Sequence, residues 1–182
     1  MAVNRPLELD STTNELKEIT PIITSAGAGD ASKLVQTDSG GKLDITLMPS
    51  GIGADTVSVT ASESLAAGDW VNIYDNAGTK NVRKANATDN TKPAHGFVKS
   101  AVSASATATV YLTGVNDAIP VGSFVAADVG KNVFLSTTGG GTTLTAPSTT
   151  GNRVQRLGQI TDKGVSTISV PFANGHIAII KA

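Results

Sequence analysis

The sequence has no cysteine and few aromatic or charged residues. The absence of cysteine from its 182 residues excludes disulfide bonds and thiolate metal sites. Aromatic residues make up 4% and charged residues 16% of the chain, whereas about 25% charged residues are typical of soluble domains. Alanine, threonine, serine and glycine are abundant instead, so a core built from this sequence is thin. Subunit association is a common way to bury additional apolar surface, and we expect it here.

Basic patches and long apolar runs are also missing. The net charge is −1 and the 14 lysines and arginines are scattered, so we expect no nucleic-acid partner. No apolar run approaches the roughly 18 residues of a membrane span, and we expect no membrane partner. The first six residues lack the apolar core of a signal peptide, which predicts that no secretion signal is present.

The motifs of common catalytic and metal sites are absent. His95 and His176 have no second ligand at the spacing of a metal site. No serine lies in a Gly-x-Ser-x-Gly elbow, and Gly139–Gly141 is not followed by the Lys-Ser/Thr pair of a phosphate-binding loop. We therefore predict no catalytic residue, no metal and no cofactor.

Residues 55–182 have the pattern of an all-β domain. In Thr56–Ala61 apolar and polar residues alternate, and Ala106–Leu112 shows the same period of two more clearly. About nine short runs of this kind, separated by Gly, Asn, Asp and Ser, predict a β-sandwich or β-barrel. Between them, 119–124 is predicted to be a connector and 126–130 a helical turn that ends at a glycine.

Residues 1–54 are predicted to form an extended N-terminal arm. Leu7 and Leu9 alternate with acidic residues, which favours a short extended segment, while 15–19 fits one helical turn or a strand. The runs 33–36 and 42–45 flank a glycine turn and predict a small hairpin. No periodic run is long enough for a core, so the arm must order on its own domain, a sister subunit or a larger assembly.

Several short motifs resemble segments of tailed-bacteriophage virion proteins. The run from Lys33 to Asp44, its continuation from Leu47 to Gly53 and the opening from Asn4 to Leu7 are similar to a segment common in those proteins. The domain that follows resembles phage capsid decoration proteins, also called cement proteins. The motifs that carry this resemblance are Leu65–Asn72, Val82–Ala85, His95–Val98, Val110–Leu112 and Val154–Gly158.

The resemblance implies a structural protein of the virion rather than an enzyme. Proteins of this kind are β-rich trimers on the outside of the phage head, where they clamp neighbouring subunits of the major capsid protein. The expected partners are therefore the major capsid protein and two further copies of the chain. The aliphatic residues of the arm are the predicted contacts with the capsid or with a sister subunit: Leu7, Leu9, Ile19, Ile22, Ile23, Leu34 and Val35.

Two other functions remain open from the sequence. A module of a head or tail fibre that binds a host glycan would need an exposed cluster of aromatic and carboxylate groups, for example around Trp70 and Tyr74. A core or interface role for Trp70 is nevertheless the favoured prediction. A small β-fold hydrolase would need a pair of carboxylates, which the sequence does not indicate.

Overall fold

The protein is nearly all β-structure, as the sequence predicts. The computed structural model describes residues 6–10, 12–48, 55–173 and 177–179, except for the side chains of Ile45 and of 177–179. Within these ranges no helix is longer than one three-residue 3₁₀ turn, and none could span a membrane. The strands are β1 (Leu7–Asp10), β2 (Glu15–Glu18), β3 (Thr56–Ala61), β4 (Trp70–Asn76), β5 (Thr79–Lys84), β6 (Gly96–Phe97), β7 (Thr107–Tyr111), β8 (Val115–Pro120), β9 (Asn132–Leu135), β10 (Thr142–Thr143), β11 (Arg153–Gln159), β12 (Asp162–Lys163), β13 (Thr167–Pro171) and β14 (Ile177–Ile179).

The chain divides into two compact units, Met1–Gly53 and Ala54–Ala182. In the first unit β1 and β2 form an antiparallel hairpin in which Leu9 lies opposite Leu16. The Asp10 carboxylate accepts a hydrogen bond from the Thr12 N–H at 2.9 Å and so stabilises the turn between the strands. In the segment 15–19, which the sequence leaves open between helix and strand, residues 15–18 thus form a strand.

The hairpin predicted for 33–36 and 42–45 does not form as a strand pair. Val35 instead forms a parallel bridge with Ile22. The Asp38 carboxylate accepts hydrogen bonds from the Gly40 and Lys42 N–H groups at 2.8 and 2.9 Å. Because this side chain satisfies the turn locally, the backbone closes a tight loop and then leaves it without continuing a ladder.

The second unit begins with a closed five-stranded barrel in the order β3-β5-β4-β6-β7. The β3–β5 pair is parallel and the other pairs are antiparallel. In β7 Ala108 and Val110 are buried while Thr107 and Thr109 are exposed, which confirms the alternation seen in the sequence.

Two further sheets complete the second unit, with the orders β10-β9-β11-β14 and β12-β13-β8. Strand β4 separates two apolar clusters, because successive side chains of a strand point to opposite faces. Val71 packs with the barrel residues, whereas Trp70 packs with Phe97, Leu157 and the residues of the other sheets. The Trp70 and Phe97 rings meet edge to face, with their centroids 5.5 Å apart.

The connector predicted for 119–124 is wrong at its beginning, because β8 extends through Pro120. Ile119 pairs with Ile168 of β13 and is buried in the core. Asn116 is also buried in this strand, and its side-chain amide donates to the Gly68 carbonyl at 3.0 Å. A buried asparagine and a register shift in the β8–β13 ladder remove the simple alternation by which a strand is recognised in a sequence.

Candidate interaction surfaces

The hairpin of the first unit presents an exposed apolar face. Leu9 and Leu16 are cross-strand partners, and Leu7 lies two residues from Leu9, so the three side chains project from the same side. Their exposed fractions are 56% for Leu7, 61% for Leu9 and 70% for Leu16. We call this surface the leucine face. Leu16 is absent from the predicted contacts, although a hairpin turn at 10–14 would have placed it opposite Leu9.

The other face of the hairpin is mainly charged. Glu8 lies opposite Lys17, and Asp10 lies opposite Glu15. The hairpin is therefore amphipathic, with three leucines and Glu18 on one side and only charged residues on the other. Because an isolated two-stranded hairpin is only marginally stable in water, a partner that covers the leucine face would stabilise it.

The remaining predicted contacts lie further along the first unit. Ile22 and Val35 are joined by the parallel bridge, and the Ile22 N–H donates to the Leu34 carbonyl at 2.9 Å. Ile23, Leu34 and Val35 are exposed, whereas Ile19 and Ile22 are half-buried. Ile19 and Leu34 line a common cavity of about 390 Å³. The structure thus places two of the seven predicted residues, Leu7 and Leu9, on the leucine face and the other five further along the first unit.

A groove of about 580 Å³ lies within the second unit. The turn at Gly68–Asp69, the segment Ile119–Phe124 and the loop 138–145 line it. The turn and the loop are held together by backbone hydrogen bonds, since the Trp70 N–H donates to the Gly140 carbonyl at 3.0 Å. We refer to it below as the Asp69 groove.

Two glycines allow the close packing around the Asp69 groove. Gly68 has φ +86°, and a Cβ there would lie 2.4 Å from the Ala118 carbonyl oxygen. Gly140 has φ +76°, and a Cβ there would lie 2.6 Å from the Asp69 carboxylate. Because both positions have a left-handed backbone and no space for a side chain, only glycine fits them without strain.

Asp69 is the carboxylate of this groove. Its Oδ2 accepts a hydrogen bond from the Ala66 N–H at 2.8 Å and lies 3.5 Å from Lys84 Nζ. Its side chain is only 14% exposed. Burial raises the pKa of the Asp69 carboxyl group, and the Ala66 hydrogen bond and Lys84 oppose this increase only in part. A carboxylate with a raised pKa in a concave site is a candidate binding group.

Trp70 and Tyr74 do not form the exposed aromatic cluster that a glycan-binding fibre would need. Trp70 is 0% exposed, and its indole N–H donates to Thr142 Oγ1 at 2.8 Å. Tyr74 is half-buried, and the guanidinium of Arg83 lies 4.1 Å from its ring centroid. The predicted core role of Trp70 is therefore confirmed, and a glycan-stacking role for it is wrong.

His95 acts as a polar contact between neighbouring strands. Its Nδ1 lies 3.2 Å from the Ile73 nitrogen and 3.1 Å from the Ile73 carbonyl oxygen, so it accepts from the N–H in one tautomer and donates to the carbonyl in the other. Burial lowers the pKa of His95, and the nearby positive charge of Arg153 lowers it further, so the neutral ring is favoured. His176 lies outside the described residues. In the part of the chain that the structure describes, no group of three or more His, Cys, Asp or Glu could hold a metal.

Comparison with known proteins adds no family to these observations. No protein-family model matches the chain, and no curated protein or solved structure matches it.

Proposed function

We propose that the chain is a capsid decoration protein that binds the outer surface of a phage head and stabilises contacts between subunits of the major capsid protein. The difference in side-chain burial between the two units supports this proposal most directly. No described side chain of residues 6–48 is buried, whereas the second unit has its own apolar core. A segment of this kind orders on a partner surface, while the folded unit remains outside as the decoration.

The leucine face supplies the apolar part of the proposed contact. Each leucine that docks into a capsid groove contributes about 1.5–3 kcal/mol of burial free energy. Ordering of the hairpin and loss of side-chain freedom reduce that contribution. The charged side with Glu8 and Lys17 stays in water, so the hairpin lies flat on the capsid with one defined orientation.

A trimer would make this attachment stronger without new kinds of contact. Three linked arms bind neighbouring capsid subunits, and each attachment after the first is intramolecular. The thin core of a chain with few aromatic residues supports association, because subunit contacts bury additional apolar surface. No step of this role requires reaction chemistry.

Substitution of the leucine face tests the proposal. In a triple variant with Leu7, Leu9 and Leu16 changed to serine, we expect at least a hundredfold weaker binding to empty shells of the major capsid protein. Co-sedimentation of the full-length chain with the shells measures this affinity. A control variant changes Glu8, Glu15 and Lys17 on the opposite face to serine, and we expect it to bind within about threefold of the native chain. Native binding by the leucine variant would remove the hairpin from the mechanism.

The oligomeric state is tested separately. Analytical ultracentrifugation should give a species three times the 18.4 kDa mass of one chain. A monomer at micromolar concentration would contradict the trimer while leaving the hairpin contact to be judged by the co-sedimentation result.

A further inference from the structure

The Asp69 groove has the size of a small-molecule site. Its volume of about 580 Å³ falls within the range of roughly 300–1,000 Å³ that ligand pockets have. Hydrogen bonds hold its walls to neighbouring segments of the second unit. The Gly140 N–H donates to the Ala85 carbonyl at 2.8 Å, and the Asn116 side chain holds the Gly68 carbonyl. A preformed site loses little conformational entropy when a ligand binds.

Polar and apolar groups line the groove together. Asp69 contributes a carboxylate, and Ser123 and Thr138 contribute hydroxyl groups that can both donate and accept. Phe124 and Leu144 contribute apolar surface beside them. A ligand that fits this lining carries several hydroxyl groups and a carbon face.

The charge of the groove restricts the ligand further. The Asp69 carboxylate disfavours an anionic ligand, because like charges repel at short range. Lys84 already lies beside Asp69, so the carboxylate is partly neutralised and a cationic ligand gains little. An uncharged ligand whose hydroxyl groups donate to Asp69 best satisfies the hydrogen-bonding groups that line the groove.

We propose that the Asp69 groove binds a neutral saccharide of one or two sugar units. The sugar hydroxyls donate to the Asp69 carboxylate and exchange hydrogen bonds with Ser123 and Thr138, while the C–H face of the ring packs against Phe124. An extended peptide fits less well. Among the described strands two sheet edges reach the groove, and both offer few ladder partners: β10 has only two residues, and β8 enters the groove with Ile119 and with Pro120, which has no N–H. The proposal is independent of capsid binding.

A titration of the full-length ¹⁵N-labelled chain tests it. The probes are the methyl glycosides of glucose, galactose, mannose and N-acetylglucosamine, with sialic acid and a Thr-rich tetrapeptide as competing classes. We expect saturable shifts with at least one neutral glycoside at millimolar concentration, confined to amides of 66–69, 122–124 and 138–145. Sialic acid and the tetrapeptide should cause no saturable shift.

Variants identify the groups responsible. Asp69→Asn keeps the shape and removes the charged acceptor, and we expect the affinity for the glycoside to fall about tenfold. Asp162→Asn, which changes a carboxylate outside the groove lining, should leave the affinity unchanged. Ser123→Ala on the exposed wall provides a second test that is safe for folding, with an expected loss of a few fold. The proposal is overturned if no neutral glycoside binds, if sialic acid or the peptide binds as tightly, or if both groove variants bind like the native chain.

Discussion

Aspartate carboxylates close short loops inside both units, but among the described residues only the second unit adds hydrogen bonds from buried side chains to distant segments. In the first unit, aspartate side chains close short loops. Asp10, Asp30, Asp38 and Asp44 each accept a hydrogen bond from a backbone N–H two to four residues away. In the second unit, buried side chains join distant segments. Gln155 both accepts from the Ala94 N–H at 2.7 Å and donates to the Ala94 carbonyl at 2.8 Å.

This difference explains why the second unit has an apolar core while no described side chain of the first unit is buried. Local turns fix the backbone of a few residues at a time and bury no apolar area. Long-range ladders and buried amides bring together side chains such as Trp70, Leu157 and Ile168 that are far apart in the sequence. A chain can therefore show well-formed turns in one unit while only the other buries enough surface to fold alone.

The largest difference between the units in the free energy of unfolding should come from a matched pair of leucine substitutions. Leu157 is 0% exposed and Leu16 is 70% exposed. We expect Leu157→Ala to lower the free energy of unfolding by about 2–5 kcal/mol, because it leaves a cavity in the core. Leu16→Ala should change it by less than about 0.5 kcal/mol. Urea unfolding of both variants measures this, and equal effects would mean that the first unit has a core of its own.

A smaller difference in the free energy of unfolding should separate the loss of a buried long-range hydrogen bond from the loss of an exposed local one. Gln155→Ala leaves the N–H and C=O of Ala94 without their partner in a buried place, and we expect a loss of about 1–3 kcal/mol. Asp38→Ala affects an exposed turn whose backbone groups can bind water instead, so a change of about 0.5 kcal/mol is expected. The same unfolding experiment compares them. A larger loss of stability for Asp38→Ala than for Gln155→Ala would contradict the view that buried long-range hydrogen bonds contribute more than local aspartate turns.

The smallest effects should appear in the pH dependence, with opposite signs in the two units. Hydrogen bonds from Thr46 lower the pKa of Asp44 below 3.8. The contribution of Asp44 to the stability of the folded state is therefore present above pH 3.8 and is lost as the pH falls through the lowered pKa. Burial raises the pKa of Asp69, so folding favours its protonated form. The contribution of this group to the stability of the folded state is present below pH 3.8 and is lost as the pH rises through the raised pKa.

Asparagine variants separate the two carboxylates. Relative to the native chain, Asp69→Asn should gain stability between pH 3 and pH 7, measured by unfolding at each pH. Asp44→Asn should abolish the acid-dependent change in the Thr46 amide shift, measured by NMR. If the native chain and Asp69→Asn show parallel pH profiles, the burial of Asp69 has no net effect on folding.

Much of the second unit was predictable because its strands carry a strong local signal. The alternation in Thr107–Tyr111 defines a buried and an exposed face whatever its neighbours are. Strand β8 was missed because its buried positions include Asn116, which only a partner such as the Gly68 carbonyl makes acceptable inside the protein. Leu16 was missed because a four-residue run between charged residues fits a helical turn and a strand equally well.

The sequence by itself determined the β-rich character of the protein, its division near residue 54 into two kinds of segment, and the lack of familiar catalytic motifs. These properties follow from composition and from the spacing of neighbouring residues, which are local. Only the tertiary structure placed Leu16 beside Leu9, buried Trp70, and brought Asp69, Ser123 and Thr143 around one groove. Strand pairing over long sequence separations decides such contacts, because register and closure depend on all the strands together.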